Sequence, residues 1–460
     1  MRSQEVRIRS IQVNQLANRR KSYTVRWLLA GKPESKTFAT RALADNYRSD
    51  LMQAINRGEA FDTDTGLPES MMPTVSGVSW LVFVRRYLNM KWPDAAAKSR
   101  ESLTDALATV TPALTADVPG RPDLELLRRA LRGYELVPAT RTEHRPADVA
   151  RALQWLERAS LPLADLAQAS VVRPALNALT VRLDGRSAAA TTSRRKRAVF
   201  YNVLQYAVEL ELLAYNPVDQ LRVSSNRTKV SVQVDRRVVV NPAQARELLT
   251  AVTYVGSRGK DGRRGERLRA FFACIYFAGL RPGEATDLRR SNCKLPATGW
   301  GSLTVERSRP AAGKRYTDSG EVHDDRGLKH RGKTEAREVP IPPELVAILR
   351  EHLERFGTDE TGRLFRSTRG GVVSASSYAR VWDIARSVAF PPDRVGTPLA
   401  GRPYDLRHAG VSLWLNAGVP ATDVADRAGH SVDVLLKVYA KCLDGDRKRF
   451  NARIEAALDA

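Results

Sequence analysis

The stretch from Pro403 to Tyr439 reads PYDLRHAGVSLWLNAGVPATDVADRAGHSVDVLLKVY, and its reading decides the fold. It gathers Arg407, His408, His430 and Tyr439 into one short span. A guanidinium, two imidazoles and a phenol are groups that together can hold a phosphate, move a proton and attack phosphorus. Metal ligands are largely missing from it. The spacing predicts helix, turn, helix. Leu413, Leu415 and Ala417 carry an apolar face, Gly418 stops the first helix, Pro420 opens the second, and Ala428-Gly429 closes it just ahead of His430. The polar groups are therefore expected at helix ends, where they can face a ligand.

Working outward, Phe271 to Leu288 reads FFACIYFAGLRPGEATDL. An apolar run breaks at Gly279, Arg281 follows at once, and Glu284 lies just beyond the helix start at Pro282. Asn241-Pro242 opens an earlier helix, AQARELLTAV. Gly301 to Glu306 reads as a strand, Ser308 to Asp325 as a polar loop, and Gly327 to Arg331 and Ala336 to Ile341 as two further strands. Pro342-Pro343 then leads into the helix ELVAILREHLERF.

Together these residues resemble the catalytic domain of the tyrosine recombinase (phage integrase) family. That family's pattern is a G-L-R-x-x-E box, a lysine on a β-hairpin, a His-x-x-Arg box, a G-H box and a tyrosine about ten residues later. Here Gly279-Leu280-Arg281-Pro282-Gly283-Glu284 matches the first box, Arg407 the second, Gly429-His430 the third and Tyr439 the last. Where the family usually has histidine at the start of the second box, this chain has Tyr404. The resemblance covers roughly the last half of the chain and is carried by the order of the boxes; any single box is weak.

The resemblance implies that the Tyr439 phenol attacks a DNA phosphodiester, forming a 3′-phosphotyrosine and a free 5′-hydroxyl. A second strand's hydroxyl then reverses the bond. Arg281 and Arg407 would clamp the phosphate, since guanidinium forks match its oxygens. His430 would donate to it, and Tyr404 would hydrogen-bond where the family's histidine stands. The hairpin lysine would protonate the leaving oxygen; Lys329 is favoured and Lys333 is the second candidate. Neither a metal nor a cofactor is called for, because the arginines supply the charge that Mg²⁺ supplies elsewhere. The implied partners are double-stranded DNA at core-type and arm-type attachment sites, further copies of the chain in a tetrameric synaptic complex, and an accessory DNA-bending or excision protein.

Composition points the same way. The 460 residues carry 74 Lys+Arg against 51 Asp+Glu, a formal net charge of +23 at pH 7. Such an excess favours nucleic acid or an acidic membrane surface as partner. No apolar run approaches a membrane span and the N-terminus lacks a signal-peptide core, so a soluble, cytoplasmic protein without a membrane partner is expected. Cys274, Cys293 and Cys442 are widely spaced, which indicates neither a disulfide framework nor a zinc site.

The length suits two or three domains, and the fold class expected is multidomain. Residues 1–60 read as a small sheet with one helix. Its strands are expected over Val6 to Val13, Ser22 to Leu29 and Ser35 to Ala39, and its helix over Ala42 to Ile55, ended by Gly58. By position and size this resembles the arm-type DNA-binding domain of many integrases, with Arg7, Arg9, Arg19, Arg20, Lys21 and Arg26 as DNA-facing candidates. Phe61 to Pro73 reads as a linker. Residues 74–220 read as an all-α, core-binding domain. Within it Ala188 to Leu213 joins a Thr/Ser N-cap region to Arg194, Arg195, Lys196 and Arg197, which would suit backbone phosphates at a helix N-terminus. Residues 238–460 are the catalytic domain, mainly α with a β-hairpin or small sheet (α+β).

Each site residue also has a plainer reading. A tyrosine near a helix end is usually a packing residue, His430 can be a neighbour of a helix C-cap, and Arg281 can simply pair with Glu284. Glu284 itself reads as a brace for the arginine turn, and Asp405 and His408 as groups that orient Arg407 or His430. Two other functions fit the same boxes: a DNA-binding architectural protein with impaired catalysis, and a type IB topoisomerase-like enzyme. The basic N-terminal module argues against the topoisomerase, because relaxation needs no second class of DNA site.

Overall fold

The computed structural model describes residues 2–15, 21–38, 40–63, 66–68, 71, 78–138, 145–221, 233–257, 264–328, 335–367, 370–442 and 447–459. The chain divides into two compact units, Met1–Ala95 with Ser102–Thr228, and Ala96–Glu101 with Lys229–Ala460.

The first unit opens with β1 (Arg2–Ser3), β2 (Val6–Ile8), β3 (Gln12–Gln15), β4 (Lys21–Leu29), β5 (Lys32–Phe38), α1 (Arg41–Asn56) and β6 (Phe61–Asp62). All the strand pairs are antiparallel, and β4 is central: β5 pairs along its length, while β2 and β3 pair with its two ends. The single first strand expected from sequence is thus two strands. The chain breaks between them so that Ile11 packs on the core with Val25, Trp27 and Leu29. The Thr40 side chain caps α1 by accepting from Leu43 N, and Ala44, Leu51 and Ala54 turn inward from that helix. The segment expected as a linker begins inside this core. Phe61 is fully buried, and Trp27 Nε1 donates to the Gly66 carbonyl at 2.8 Å.

The helices that follow are α2 (Trp80–Lys91), α3 (Ala97–Val110), α4 (Leu124–Ala130), α5 (Ala147–Ala159), α6 (Ala169–Ala178), α7 (Ala190–Glu209) and α8 (Pro217–Gln220). Their apolar stripes meet in one cluster that includes Trp80, Phe83, Leu107, Trp155, Leu156, Phe200 and Val203. Among the described residues this region is helical, apart from isolated bridges.

The second unit contains α9 (Pro242–Thr253), α10 (Arg264–Phe277), α11 (Pro282–Asp287), β7 (Cys293–Lys294), β8 (Gly301–Val305), β9 (Arg307–Ser308), β10 (Arg326–Gly327), β11 (Arg337–Ile341), α12 (Pro343–Phe356), α13 (Ala375–Ala389), α14 (Pro392–Val395), α15 (Asp405–Asn416), α16 (Ala421–Ala428), α17 (Val432–Tyr439) and α18 (Arg447–Leu458). From Ala270 to Phe277 helix α10 is apolar on every side and buried, so the other elements pack around it. Helix α15 lies against it at Gly410, where a Cβ would stand 2.0 Å from the Tyr276 carbonyl oxygen. Glycine is the residue that permits this approach.

Of the expected hairpin of 327–331 with 336–341, residues 329–331 lie outside the described residues. Strand β11 pairs with β8, Arg337 opposite Val305 and Ile341 opposite Gly301, while β10 pairs with β9. In this register Arg337, Val339 and Ile341 turn to the same buried side as Leu303 and Val305, which fixes the pairing. Leu413 also differs from expectation: it is 38% exposed. The inward face of α15 is instead Leu406, Ala409, Gly410, Val411 and Leu415.

Candidate functional site

The site starts where α10 ends. Gly279 has φ of +56°, a left-handed turn that glycine adopts without strain, and Arg281 follows as the residue capping α11. Glu284, one turn into that helix, accepts from Arg281 N at 2.8 Å and from Arg281 Nη1 at 2.7 Å. The same carboxylate accepts two bonds from Arg337 on β11, at 2.9 and 2.7 Å. Arg337 also donates to the Arg427 carbonyl at 3.0 Å, and Arg281 Nη2 donates to the Gly429 carbonyl at 2.7 Å. One buried carboxylate therefore ties the arginine turn to the strand, and both arginines grip the end of α16. Burial alone would push the Glu284 carboxyl up; the hydrogen bonds and charge of Arg337, with the charges of Arg281 and Arg407, outweigh it and hold it down at about 2.

Arg407, on the first turns of α15, is fully buried. It donates from Nη1 to the Gly279 carbonyl. From Nη2 it reaches the Ala428 carbonyl at 2.5 Å and His430 Nε2 at 2.8 Å. A guanidinium has no acceptor, so His430 Nε2 must accept and Nδ1 carries the proton of the neutral ring. The ring is neutral: burial first, then the charges of Arg407, Arg281 and Arg337, push His430 down to about 3. Within this group of side chains two buried N–H groups are left unspent, Arg407 Nε and His430 Nδ1. Unpaired buried donors are costly, and in a native site they invite an acceptor from outside.

Tyr439 is the last residue of α17 and is buried among Val411, Leu415, Val424 and Leu435. Its hydroxyl lies 3.0 Å from His408 Nδ1. Burial pushes the phenol above its ordinary value, against the opposing charge of Arg407. Tyr404 sits just ahead of α15, its ring edge-on to His408 with centroids 5.0 Å apart and facing the Arg407 guanidinium carbon at 6.0 Å. Arg281, Arg407, His430, Tyr439 and Tyr404 thus form one cluster, drawn from the ends of α10, α15, α16 and α17. Lys329 and Lys333 lie outside the described residues.

The sequence reading missed Arg337. Its signal was an arginine in phase with Val339 and Ile341 on an alternating strand, where a core residue is expected. Two other side chains differ from their reading. Asp405 accepts from Arg402 N and Arg402 Nη2 instead of orienting Arg407, and His408 meets Tyr439.

The DNA-facing candidates fall into two groups. Arg7, Arg9, Lys21 and Arg26 are exposed on the N-terminal sheet, while Arg19 and Arg20 lie outside the described residues. In the helical region α7 begins at Ala190, so Arg194, Arg195, Lys196 and Arg197 fall past its first turn and away from the free amides. The Thr/Ser run is helical and does not cap. Arg195 donates to Ser102 Oγ at 2.5 Å, and Lys196 donates to Thr109 Oγ1 at 2.8 Å and pairs with Asp105 at 3.2 Å. These two are held within the fold. Among the described residues no three His, Cys, Asp or Glu are grouped to hold a metal ion, and no helix is long and apolar enough to cross a membrane.

Gly429 closes α16 in the left-handed conformation, φ +65° and ψ +49°. A Cβ there would stand 3.0 Å from Arg337 Nη1 and 3.2 Å from Arg281 Nη1. Gly429→Ala is expected to cost about 1–3 kcal/mol through backbone strain, read as a lower urea midpoint, and to displace both guanidiniums.

No family model matches the chain. It is 23% identical over 201 residues to a tyrosine recombinase XerC-like protein of Caldanaerobacter subterraneus subsp. tengcongensis, a match covering 39% of this chain and 47% of that protein. It is 30% identical over 190 residues to tyrosine recombinase XerC of Methylobacterium sp., covering 41% of this chain and 48% of that protein. The chain thus spans about half the length of these curated relatives. A lambda integrase dimer bound to a COC′ core site aligns over 96% of this chain and 97% of that one, at 14% identity and a TM-score of 0.48. In sequence, then, the chain is similar to the tyrosine recombinases.

Proposed function

We propose that the protein is a site-specific DNA recombinase that cuts and rejoins DNA through a 3′-phosphotyrosine and integrates a mobile element or prophage. The observation that carries this reading is the unspent pair of buried donors, Arg407 Nε and His430 Nδ1, in one cluster with Arg281 and the Tyr439 phenol. A phosphodiester supplies the acceptors and negative charge that such a cluster lacks. Its nonbridging oxygens meet Arg281 and Arg407, and His430 donates from Nδ1. Tyr439 forms the new O–P bond as the bond to the 5′-oxygen breaks, and that oxygen takes a proton from Lys329, or from Lys333 in its place. The 5′-hydroxyl of a second strand then attacks phosphorus and releases Tyr439.

Around this chemistry residues 1–60 serve as the arm-type DNA module, 74–220 as the core-type module and 238–460 as the catalytic module. Four copies act together on paired sites in the cytoplasm, joined by an accessory DNA-bending or excision protein. With a net charge of +23, affinity for any duplex is expected to fall by orders of magnitude from 50 to 200 mM salt, about 10³-fold or more for 6–10 neutralised phosphates. A nearly flat salt response in a binding titration would remove the electrostatic argument.

The decisive experiment sequences the DNA that flanks the coding region for a short direct repeat and builds a nicked suicide duplex on it. Incubation should leave a complex that resists denaturant, is linked to a 3′ end and forms equally well in EDTA. Cleavage without a covalent complex, or strict dependence on Mg²⁺, would overturn the proposal.

A further inference from the structure

We propose that His408 is the proton acceptor for Tyr439, a task that Tyr404, at the start of the His-x-x-Arg box, cannot perform. This rests on the recombinase reading and assigns the residue that activates its tyrosine. The geometry carries it. Among the described residues the Tyr439 hydroxyl has its hydrogen bond with His408 Nδ1, at 3.0 Å. Were Nδ1 the donor, the buried phenolic proton would have no acceptor; with Nδ1 accepting, both groups are matched. The ring is wedged in place, edge-on to Tyr404 at 5.0 Å and to Tyr439 at 5.6 Å between centroids. Tyr404 cannot substitute, because a phenol has no basic lone pair comparable to an imidazole nitrogen.

Electrostatics keeps the lone pair free. Burial, then the charges of Arg407 and Arg402, push His408 down to about 4, so it is neutral at pH 7. A phosphate arriving on Arg407 cancels part of that guanidinium's charge and relieves the depression. As the Tyr439 oxygen gives electron density to phosphorus, its O–H becomes acidic and the proton passes to His408 Nδ1. The O–P bond forms, the bond to the 5′-oxygen breaks, and the hairpin lysine protonates that oxygen. In the reverse step the imidazolium returns its proton to the departing Tyr439 oxygen, so the cycle closes without a further reagent.

The test compares the unaltered protein with His408→Ala and His408→Asn on the nicked suicide duplex at saturating protein, measuring the single-turnover rate of adduct formation beside DNA affinity and thermal melting. In His408→Asn a side-chain amide oxygen can still accept the phenol's hydrogen bond but is not basic. Both variants are expected to bind DNA normally and to form the adduct roughly a hundredfold more slowly. Added imidazole should restore much of the rate in His408→Ala, a recovery that a packing role would not produce. If His408→Ala stays within a few-fold of the unaltered rate, or His408→Asn reacts at full speed, the assignment to His408 fails while the recombinase reading stands. Slow His408→Ala that imidazole leaves unchanged also overturns it. No adduct from the unaltered protein sinks both readings together.

Discussion

Tyr439→Phe is expected to bind the attachment-site duplex as tightly as the unaltered protein and to form no covalent complex with it. The substitution removes one oxygen and leaves the ring in its pocket among Val411, Leu415, Val424 and Leu435. The lost hydrogen bond to His408 costs stability of about 1 kcal/mol, too little to unfold a chain of this size. Arg281 and Arg407 keep every bond that holds them, since none of those bonds involves Tyr439. Binding and chemistry should therefore separate cleanly: an unchanged gel shift at each salt concentration, and an empty lane for the denaturant-resistant complex. A persistent adduct in Tyr439→Phe would mean that another residue is the nucleophile.

Arg337→Met should be the most damaging change to stability. Arg337 and Glu284 are both about 1% exposed at the side chain, so the variant leaves a buried carboxylate with Arg281 and without the partner that contributes most to holding it down. It also leaves the Arg427 carbonyl without its donor. Breaking a buried pair by removing one member typically costs about 3–5 kcal/mol, a large share of ordinary domain stability. The expected readout is a lower urea midpoint at pH 7 with an unchanged slope.

The pH dependence has a definite sign. The Glu284 carboxyl sits at about 2 in the folded protein against an ordinary 4.5, so it contributes about 3 kcal/mol above the unfolded value. That contribution is lost as pH falls from about 4.5 through about 2. In Arg337→Met the carboxyl is no longer held so low. The stability gap between the two proteins should thus be full at pH 7 and narrow steadily below about 4.5. A gap that stays constant down to pH 2.5 would assign the loss to packing and not to the ion pair.

How much of this was legible in sequence depended on whether a residue's task is local. Arg281, Arg407 and His430 sit at chain breaks that glycine and proline announce, Gly279 before Arg281, Pro403 before Arg407 and Gly429 before His430, and Tyr439 stands ten residues beyond Gly429. Their neighbourhood could be read letter by letter. Arg337 could not, because its partners Glu284 and Arg427 are brought to it only by the pairing of β11 with β8. That pairing is set by a register that strand propensity does not encode. The same limit applies at Gly327, expected on a strand beside 336–341 and found opposite Arg307 of β9. Helix α7 was misplaced for a different reason. Thr191, Thr192 and Ser193 are good caps in isolation, yet the helix continues through them because Arg195 and Lys196 are drawn onto Ser102, Asp105 and Thr109 of α3.

The anchoring of the arginines has a consequence for how such a site varies by descent. Arg407 is held by two main-chain carbonyls, those of Gly279 and Ala428, and Arg337 and Arg281, beside their bonds to Glu284, by one each, those of Arg427 and Gly429. A carbonyl is present whatever letter the gene writes at its position. Position 427 is thereby released to drift, position 428 is restricted only by the small space around its buried side chain, and position 429 is restricted by its left-handed φ. The arginines have no such latitude, since lysine offers one point charge where each guanidinium reaches several acceptors at once. Recognition of distant kin of this chain should therefore weigh its arginines and the shape of the turn above the spelling of the turn itself.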